Sequence, residues 1–578
     1  MLYQRKRLPM CFFPVMFVSG ISTVLYLFGL AGQLKIASYG LVLLGVVWLL
    51  LYAKKEALRG FVLDPSILFV CIGIVWLFVI TRGTMLSHWD DGSHWYRVCK
   101  SVYYENAYPT TPDILYYDYV PGCQTWVYFI LRYTGFSIPN CLFAQSIINV
   151  ACTAVLFAGI DGIAEFRSKV YATGIIIVAS VVICCIVPST YTLMVDLQVG
   201  LAAMAALVFV IQYGERAESL VPGMMLSSFL VLIKNTGLLF AAVVLCWEIR
   251  RYRVKGKRRY IYIAAWGIVP LLLFVCYILR SAWYYADGVS SPQSLSVSRF
   301  LAMIGEKTPE VIARMTYNFI YQVFIGDTGI PLTACVSFGI LFLLRYILCK
   351  EGYEQEALSA KTEILGILRM LGMYLIILFA TYLFAMSAGE AYVLSSFYRY
   401  YGTGVVVVTG VAVCLGIKYT GIVTMTKNET TKKCLWGMLF FAVLSMRGCG
   451  SPKYILGQEH YVIPENYHPS LWQAMEYYVP EGKRYTEDSY ILLWDKEDFG
   501  GDFLNENRIG FAAGAWLRST DILVISRNEI ENGLDINVLL SLPTYDYLIC
   551  MSDMSCESEI LAPYLNTNDF SVGTRSIE

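Results

Sequence analysis

Apolar runs long enough to cross a bilayer recur about 13 times along this chain of 578 residues. Lipid offers no hydrogen bonds to a backbone, so each such run must satisfy its own amides as a helix. The runs fall near 11–31, 36–53, 62–81, 138–164, 170–187, 193–213, 219–233, 236–249, 260–284, 330–348, 363–386, 397–417 and 433–447. The region 219–249 is the weakest, because Lys234-Asn235-Thr236-Gly237 interrupts it. The first run, from Cys11, has no small-residue cleavage site and is followed closely by a second, which fits a retained span rather than a leader. Charged residues make up 15% of the chain, against about 25% in soluble domains. Mean hydropathy is +0.56. The net charge is zero, which gives no basis for a nucleic-acid partner.

Lysine and arginine set the orientation, because cytoplasmic loops concentrate them. With the N-terminus inside, Arg5-Lys6-Arg7 is cytoplasmic. So are Lys54, Lys55 and Arg59, then Arg167 and Lys169, then the basic run between Arg250 and Arg259. Arg345, Lys350 and Lys361, and Lys427, Lys432 and Lys433, fall on the same side. Every strongly basic loop therefore lies on one face. The opposite face receives 82–137, the turns 188–192 and 234–235, the segments 285–329 and 387–396, and everything after 447. Thr308–Tyr321 has the pattern of an amphipathic helix lying in the interface, either guiding a lipid tail or covering the bundle.

These features predict an all-α polytopic membrane bundle over 1–449 and a small extracytoplasmic α/β domain over 450–578. In the latter, polar residues rise and short strand-like pieces appear at Ile522–Ile525 and Tyr547–Cys550, with helical character between Asn528 and Leu540. Most of the 17 cysteines sit inside apolar runs as small hydrophobes. Cys550 and Cys556 are candidates for pairing in an oxidising space.

The first external segment carries Ser87-His88-Trp89-Asp90-Asp91-Gly92-Ser93-His94-Trp95-Tyr96-Arg97, with Lys100 following. Two of the four histidines and two adjacent aspartates gather there, directly after a span. Asp91 or Ser93 is placed to cap a helix starting at Gly92 or His94, with His94 and Arg97 on one face. Asp90 then sits at the positive end of the helix dipole, suited to an ionised base that takes a proton from a hydroxyl. A solvated cap and a His94–Trp95 interfacial anchor would explain the same residues without chemistry. Asp90, Asp91 and His94 do not complete a metal site by spacing, so no metal ligands are assigned; a divalent ion remains an open alternative. Downstream, Tyr108-Pro109-Thr110-Thr111-Pro112 and Tyr116-Tyr117-Asp118-Tyr119-Val120-Pro121-Gly122 form an aromatic loop that either packs at the interface or stacks on sugar rings.

Ionisable residues at span ends are functional candidates because lipid penalises them. Asp196, Lys234, Glu390, Arg399 and the adjoining Tyr400 all fall on the side of Asp90. Snorkelling to headgroups would also account for Lys234 and Arg399.

The order of these motifs resembles the GT-C superfamily of membrane glycosyltransferases, which use polyprenyl-phosphate sugars, in particular its bacterial cell-envelope members. The resemblance runs over about residues 1–447 and rests on Trp89–Trp95, Val120-Pro121-Gly122, Asp196, Leu232–Gly237 and Phe397-Tyr398-Arg399-Tyr400. It departs from the family's Asp-Glu-type pair and Pro-Pro-Gly-like turn, which leaves open which aspartate is the base; family position favours Asp90. The resemblance implies an integral protein of the bacterial plasma membrane with its site outside. It implies inverting hexosyl or pentosyl transfer from a lipid-linked donor to an envelope glycan, lipid or protein. It also implies a donor-phosphate clamp among Arg97, Lys100, Lys234 and Arg399, with Asp118, Asp196 and Glu390 as further acidic groups and His94, Trp95, Tyr119 and Tyr400 nearby. A transporter or flippase of lipid-linked sugars, an envelope polysaccharide polymerase or ligase, and a non-enzymatic scaffold are the rival readings.

Overall fold

The computed structural model describes residues 9–52, 63–84, 86, 90–110, 117–214, 217–251, 257–284, 297–326, 328–425, 427–450, 489–495, 497–499, 522–565, 567 and 569–576. Ser87, His88, Trp89, Thr111, Pro112 and Tyr116 lie outside the described residues, as do Arg253 and Lys255 of the basic run between Arg250 and Arg259 and several of the other basic loop residues.

All 13 apolar segments contain a helix among the described residues. They are α1 (Met10–Leu30), α2 (Leu34–Tyr52), α3 (Pro65–Ile80), and, after two helices of the segment 82–137, α4 (Tyr96–Glu105) and α5 (Gly122–Thr134), α6 (Ile138–Ile160). Then come α7 (Phe166–Ile186), α8 (Asp196–Tyr213), α9 (Leu220–Ile233), α10 (Gly237–Arg251) and α11 (Tyr260–Tyr284). Two helices of the segment 285–329 follow, α12 (Val297–Gly305) and α13 (Pro309–Phe324). The series closes with α14 (Ile330–Lys350), α15 (Glu354–Phe384), a short α16 (Ala388–Val393), α17 (Phe397–Thr424) and α18 (Glu429–Leu444). Among the described residues nine helices are long and apolar enough to cross a membrane, and α3 and α9 are shorter apolar helices. The chain is an integral membrane protein.

The helices differ in how much lipid they meet. The apolar stretches of α6 and α8 are each 94% buried, and that of α17 is 89% buried, so these three form the centre. The outer helices α2 and α11 expose long apolar faces, as a lipid-facing helix must. At the centre Gly200 brings α8 against α17: a Cβ there would stand 2.9 Å from the Thr403 carbonyl oxygen. Small residues permit this approach of backbones in lipid, where packing replaces the hydrophobic drive between helices.

The segment 82–137 is more regular than an external loop. A π-type turn, Asp91–Trp95, leads directly into α4. After the aromatic stretch α5 sinks back into the bundle, with Cys123, Trp126, Val127 and Leu131 buried. Gly122 starts α5 against the Leu232 carbonyl at the end of α9, an approach that leaves no room for a side chain. The helix expected over Thr308–Tyr321 is α13, which Thr308 caps through Val311 N–H.

After α18 the chain crosses the C-terminal end of α7, where Gly450 N–H donates to the Cys185 carbonyl at 2.9 Å. The C-terminal part forms a sheet of order β2-β1-β3-β4, from β1 (Tyr490–Trp494), β2 (Ile522–Ser526), β3 (Tyr547–Cys550) and β4 (Gly573–Ser576). β1 pairs parallel with β2 and β3, and β4 closes the edge antiparallel to β3. Ile491, Leu493, Leu548 and Cys550 build a separate small core with Ile530, Leu561 and Leu565. The alternate side chains Tyr490, Leu492 and Trp494 belong to the same hydrophobic cluster as the membrane helices. Cys550 and Cys556 are both free, Cys550 buried in the small core and Cys556 exposed, so the pairing expected of them is corrected.

Candidate functional site

Asp90 and Asp91 are neighbours in sequence and take different work. Asp90 is already helical and precedes the π-type turn Asp91–Trp95, and its side chain makes no capping bond. The expectation that Asp91 caps this helix is therefore corrected. Its fully buried carboxylate instead accepts from Leu193 N–H at 2.7 Å and from the Thr192 hydroxyl at 3.2 Å. That turn, 188–195, is also held by α6: Gln145 donates to the Thr192 and Met194 carbonyls, and Ser146 to that of Thr190. Asp91 thus fastens the segment 82–137 to the start of α8.

Asp90 faces the other way. Its Oδ2 meets Arg399 Nη1 at 2.5 Å. Arg399 Nε lies 3.4 Å from Asp196 Oδ2, and Asp196 Oδ1 lies 2.8 Å from Lys234 Nζ. Four groups from four places in the sequence form one chain of alternating charge. The geometry follows from the helices. Asp196 and Arg399 each sit one turn before the Gly200–Thr403 contact, so the close approach of α8 and α17 brings them together. Lys234 ends α9 in an extended conformation and turns its amine back toward α8. Thr403 ties both helices, its hydroxyl within bonding distance of the Arg399 and Asp196 carbonyls. Asp90 is the most accessible of the four, its side chain 26% exposed against 7% for Asp196. Removing one member of such a buried set leaves its partner uncompensated, at a cost of about 3–5 kcal/mol.

Aromatic rings surround the cations. Lys234 Nζ stands 5.6 Å from the Tyr119 ring centre and 5.3 Å from that of Tyr400. Arg399 lies 5.5 Å from the Tyr400 ring centre. His94 packs edge-on to Trp95 and Tyr119. Burial, reinforced by Lys234 and Arg97, pulls its imidazole down from 6.5 to about 3, so it is neutral in the folded protein.

Of the four groups, Lys234 lines a cavity of about 1040 Å³, whereas Asp90, Asp196 and Arg399 do not. Tyr119 and Tyr400 line it with Lys234, and apolar side chains such as Leu238, Ile304 and Phe384 make up much of its wall. The exposed carboxylates Glu306 and Glu390 also line it. Glu390 doubles as half of a capping box on α16, accepting from Ser387 N–H at 3.0 Å.

The other candidates fall outside this arrangement. Lys100 is buried in α4, and Arg97 is half-buried close enough to His94 to act on its charge. Neither lines the cavity. Asp118 lies beside α11, where Ser281 bonds the preceding Tyr117 carbonyl. Among the described residues no three His, Cys, Asp or Glu form a metal-binding group. Sequence reasoning missed Thr403, Glu306, and Tyr374, whose hydroxyl donates to the Tyr400 carbonyl at 2.7 Å. Thr403 was findable as the residue four after Arg399; Tyr374, inside a long apolar run, carried no signal.

Two solved structures are similar to this chain. One is ArnT from Cupriavidus metallidurans in the apo state, at 12% identity and a TM-score of 0.47, covering 90% of this chain and 98% of that one. The other is ArnT from the same organism bound to undecaprenyl phosphate, at 12% identity and a TM-score of 0.47, covering 89% and 98%. No family model and no curated protein matches the chain.

Proposed function

We propose that this protein is an inverting glycosyltransferase that moves a sugar from a polyprenyl-phosphate donor to a cell-envelope acceptor on the extracytoplasmic face. The observation that carries this reading is the meeting of a partly exposed carboxylate and two fixed cations, one of which, Lys234, lines a largely apolar cavity of about 1040 Å³. The apolar length suits a lipid chain. Lys234 and Arg399 suit its phosphate, Arg399 as a planar fork and Lys234 as a point charge. Asp90 suits the base, being the exposed end of the charge chain.

In this reading the acceptor hydroxyl gives its proton to Asp90 as its oxygen attacks the anomeric carbon. The bond from that carbon to the phosphate oxygen breaks, and its electron pair leaves with the polyprenyl phosphate. Charge grows on the leaving oxygen, which is where preorganised cations stabilise a transition state most. One displacement inverts the anomeric centre. Asp196 holds Lys234 and Arg399 at a fixed spacing, and Asp91 positions the segment that carries Asp90.

The test is transfer from a polyprenyl-phosphate sugar by purified protein in detergent. Asp90→Asn should abolish transfer while membrane insertion is unchanged, and a fully active Asp90→Asn protein would sink the assignment. Lys234→Ala and Arg399→Ala should each lower turnover by at least about a hundredfold, as loss of one transition-state contact does. Glycosyl transfer needs no sealed membrane, whereas flipping does. Activity confined to sealed vesicles would therefore favour a flippase.

A further inference from the structure

A second cavity, of about 280 Å³, lies on the other side of the turn that delivers Arg399. Its floor is one stripe of α13: Arg314, Tyr317, Asn318, Tyr321 and Gln322, at the spacing that puts residues on a single helix face. The opposite face of α13 carries Met315, Phe319 and Val323 and is buried. The far wall includes Leu394 and Tyr398.

The chemistry of this lining is specific. Tyr317 and Tyr321 are stacked, with ring centres 6.4 Å apart and planes 17° from parallel. They offer flat faces of the kind that pack against the C–H side of a sugar ring. Asn318 is anchored through its amide nitrogen to the Tyr392 carbonyl at 3.2 Å, which leaves its carbonyl oxygen available. Gln322 Oε1 is buried with no hydrogen-bond partner among the described residues, an acceptor awaiting a donor. Arg314 is exposed and makes no ion pair among the described residues, so its guanidinium is available to a carboxylate or phosphate.

The turn is also strained. Leu394 and Ser396 hold φ of 52° and 59°, a left-handed region that costs a side-chain-bearing residue energy. This turn presents Tyr398 to the second cavity and, one residue later, Arg399 to the charge chain. A group seated in the cavity therefore rests on the same short segment that fixes the cation of the reaction.

We infer that this cavity is the acceptor subsite and takes one unit of an anionic glycan, a sugar ring bearing a carboxylate or a phosphate. This rests on the glycosyltransferase reading above and names its acceptor class. A phospholipid headgroup would use Arg314, but it has no use for stacked tyrosines and two oriented amides.

The test is equilibrium binding to the full-length protein in nanodiscs of phosphatidylcholine. The probes are a uronic-acid tetrasaccharide, a phosphate-bearing hexose tetrasaccharide and a neutral hexose tetrasaccharide. One anionic probe should bind at least about tenfold tighter than the neutral one, and which one it is separates carboxylate from phosphate. Arg314→Gln, on an exposed side chain, should erase that preference, and Tyr321→Ala should weaken the anionic probe by a similar factor. Failure of both anionic probes to bind, or a preference that survives Arg314→Gln, overturns the inference. So does an Arg314→Gln protein whose only loss is retention of phosphatidylglycerol. Binding needs neither donor nor turnover. Anionic binding in a protein that gives no transfer in the detergent assay would therefore overturn the transferase reading and the acceptor role with it, while glycan binding at the cavity would stand.

Discussion

At the scale of single residues, the paired aspartates show how neighbours divide labour. Asp91 supplies acceptors to a backbone amide and a hydroxyl about a hundred residues away, so its loss strands a buried donor at Leu193. An unsatisfied buried group costs about 1–3 kcal/mol. Asp91→Ala should lower the thermal midpoint and the activity together, and Asp91→Asn, which keeps one acceptor oxygen, should recover part of both. Asp90→Asn should lose activity alone. Melting curves beside transfer assays distinguish the two patterns. His94 gives a second residue-scale prediction. In the unfolded chain it takes a proton near 6.5, whereas in the folded protein it does so only near 3. Between those values the unfolded state binds more protons, so stability falls as pH drops. Midpoints in detergent should decline from about pH 7 to about pH 5, and His94→Gln should flatten that decline. An unchanged slope in the variant would assign the pH dependence to other groups.

At the scale of elements, the sequence disclosed most of the bundle and little of what aligns it. Long apolar runs bounded by basic residues marked 13 segments that each contain a helix, because lipid leaves a chain few alternatives. Among the described residues, nine of the helices are long and apolar enough to cross a membrane. The convergence of Asp196, Lys234 and Arg399 was also legible, since alternating crossings put their span ends on one side. What was not legible was register between helices. Nothing local marks Gly200 as the point where α8 touches α17, because the partner lies two hundred residues on. The buried helix α5 was hidden for a similar reason: its mixture of Cys, Gln, Trp and Tyr lacks the uniform apolarity of a span. β1 was missed inside a segment whose flanks are polar, and β4 is too short to show alternation. Gly200→Ala isolates the register effect. The new methyl would crowd the Thr403 carbonyl, and overpacking of this kind costs about 1–3 kcal/mol. Activity should fall further than stability, because α8 and α17 carry Asp196 and Arg399. Comparing turnover and thermal midpoint in Gly200→Ala and Gly174→Ala, the latter with open space at its Cβ, checks it.

At the scale of the whole molecule, the proposed orientation makes a labelling prediction. Gly389, exposed next to Glu390, belongs to the face of the charge chain, and Lys350, exposed at the end of α14, to the opposite face. Above the background of native cysteines, Gly389→Cys should react with a membrane-impermeant maleimide added to intact cells. Lys350→Cys should react only after permeabilisation. The reverse result would put the cavity and Asp90 in the cytoplasm and remove the envelope acceptor from consideration. The C-terminal sheet shares its hydrophobic cluster with the helices. We expect it to stay with them through unfolding rather than melt first.

The four groups Asp90, Arg399, Asp196 and Lys234 alternate in sign and cancel. A neutral set casts little field beyond a Debye length, about 8 Å at physiological salt. A lipid phosphate moving sideways through the bilayer would therefore feel no long-range pull from this quartet. Recognition begins only at contact, when the newcomer competes with a resident carboxylate for the same cation. Raising ionic strength should then change the rate of donor capture little, unlike a site that recruits its anion by excess positive charge.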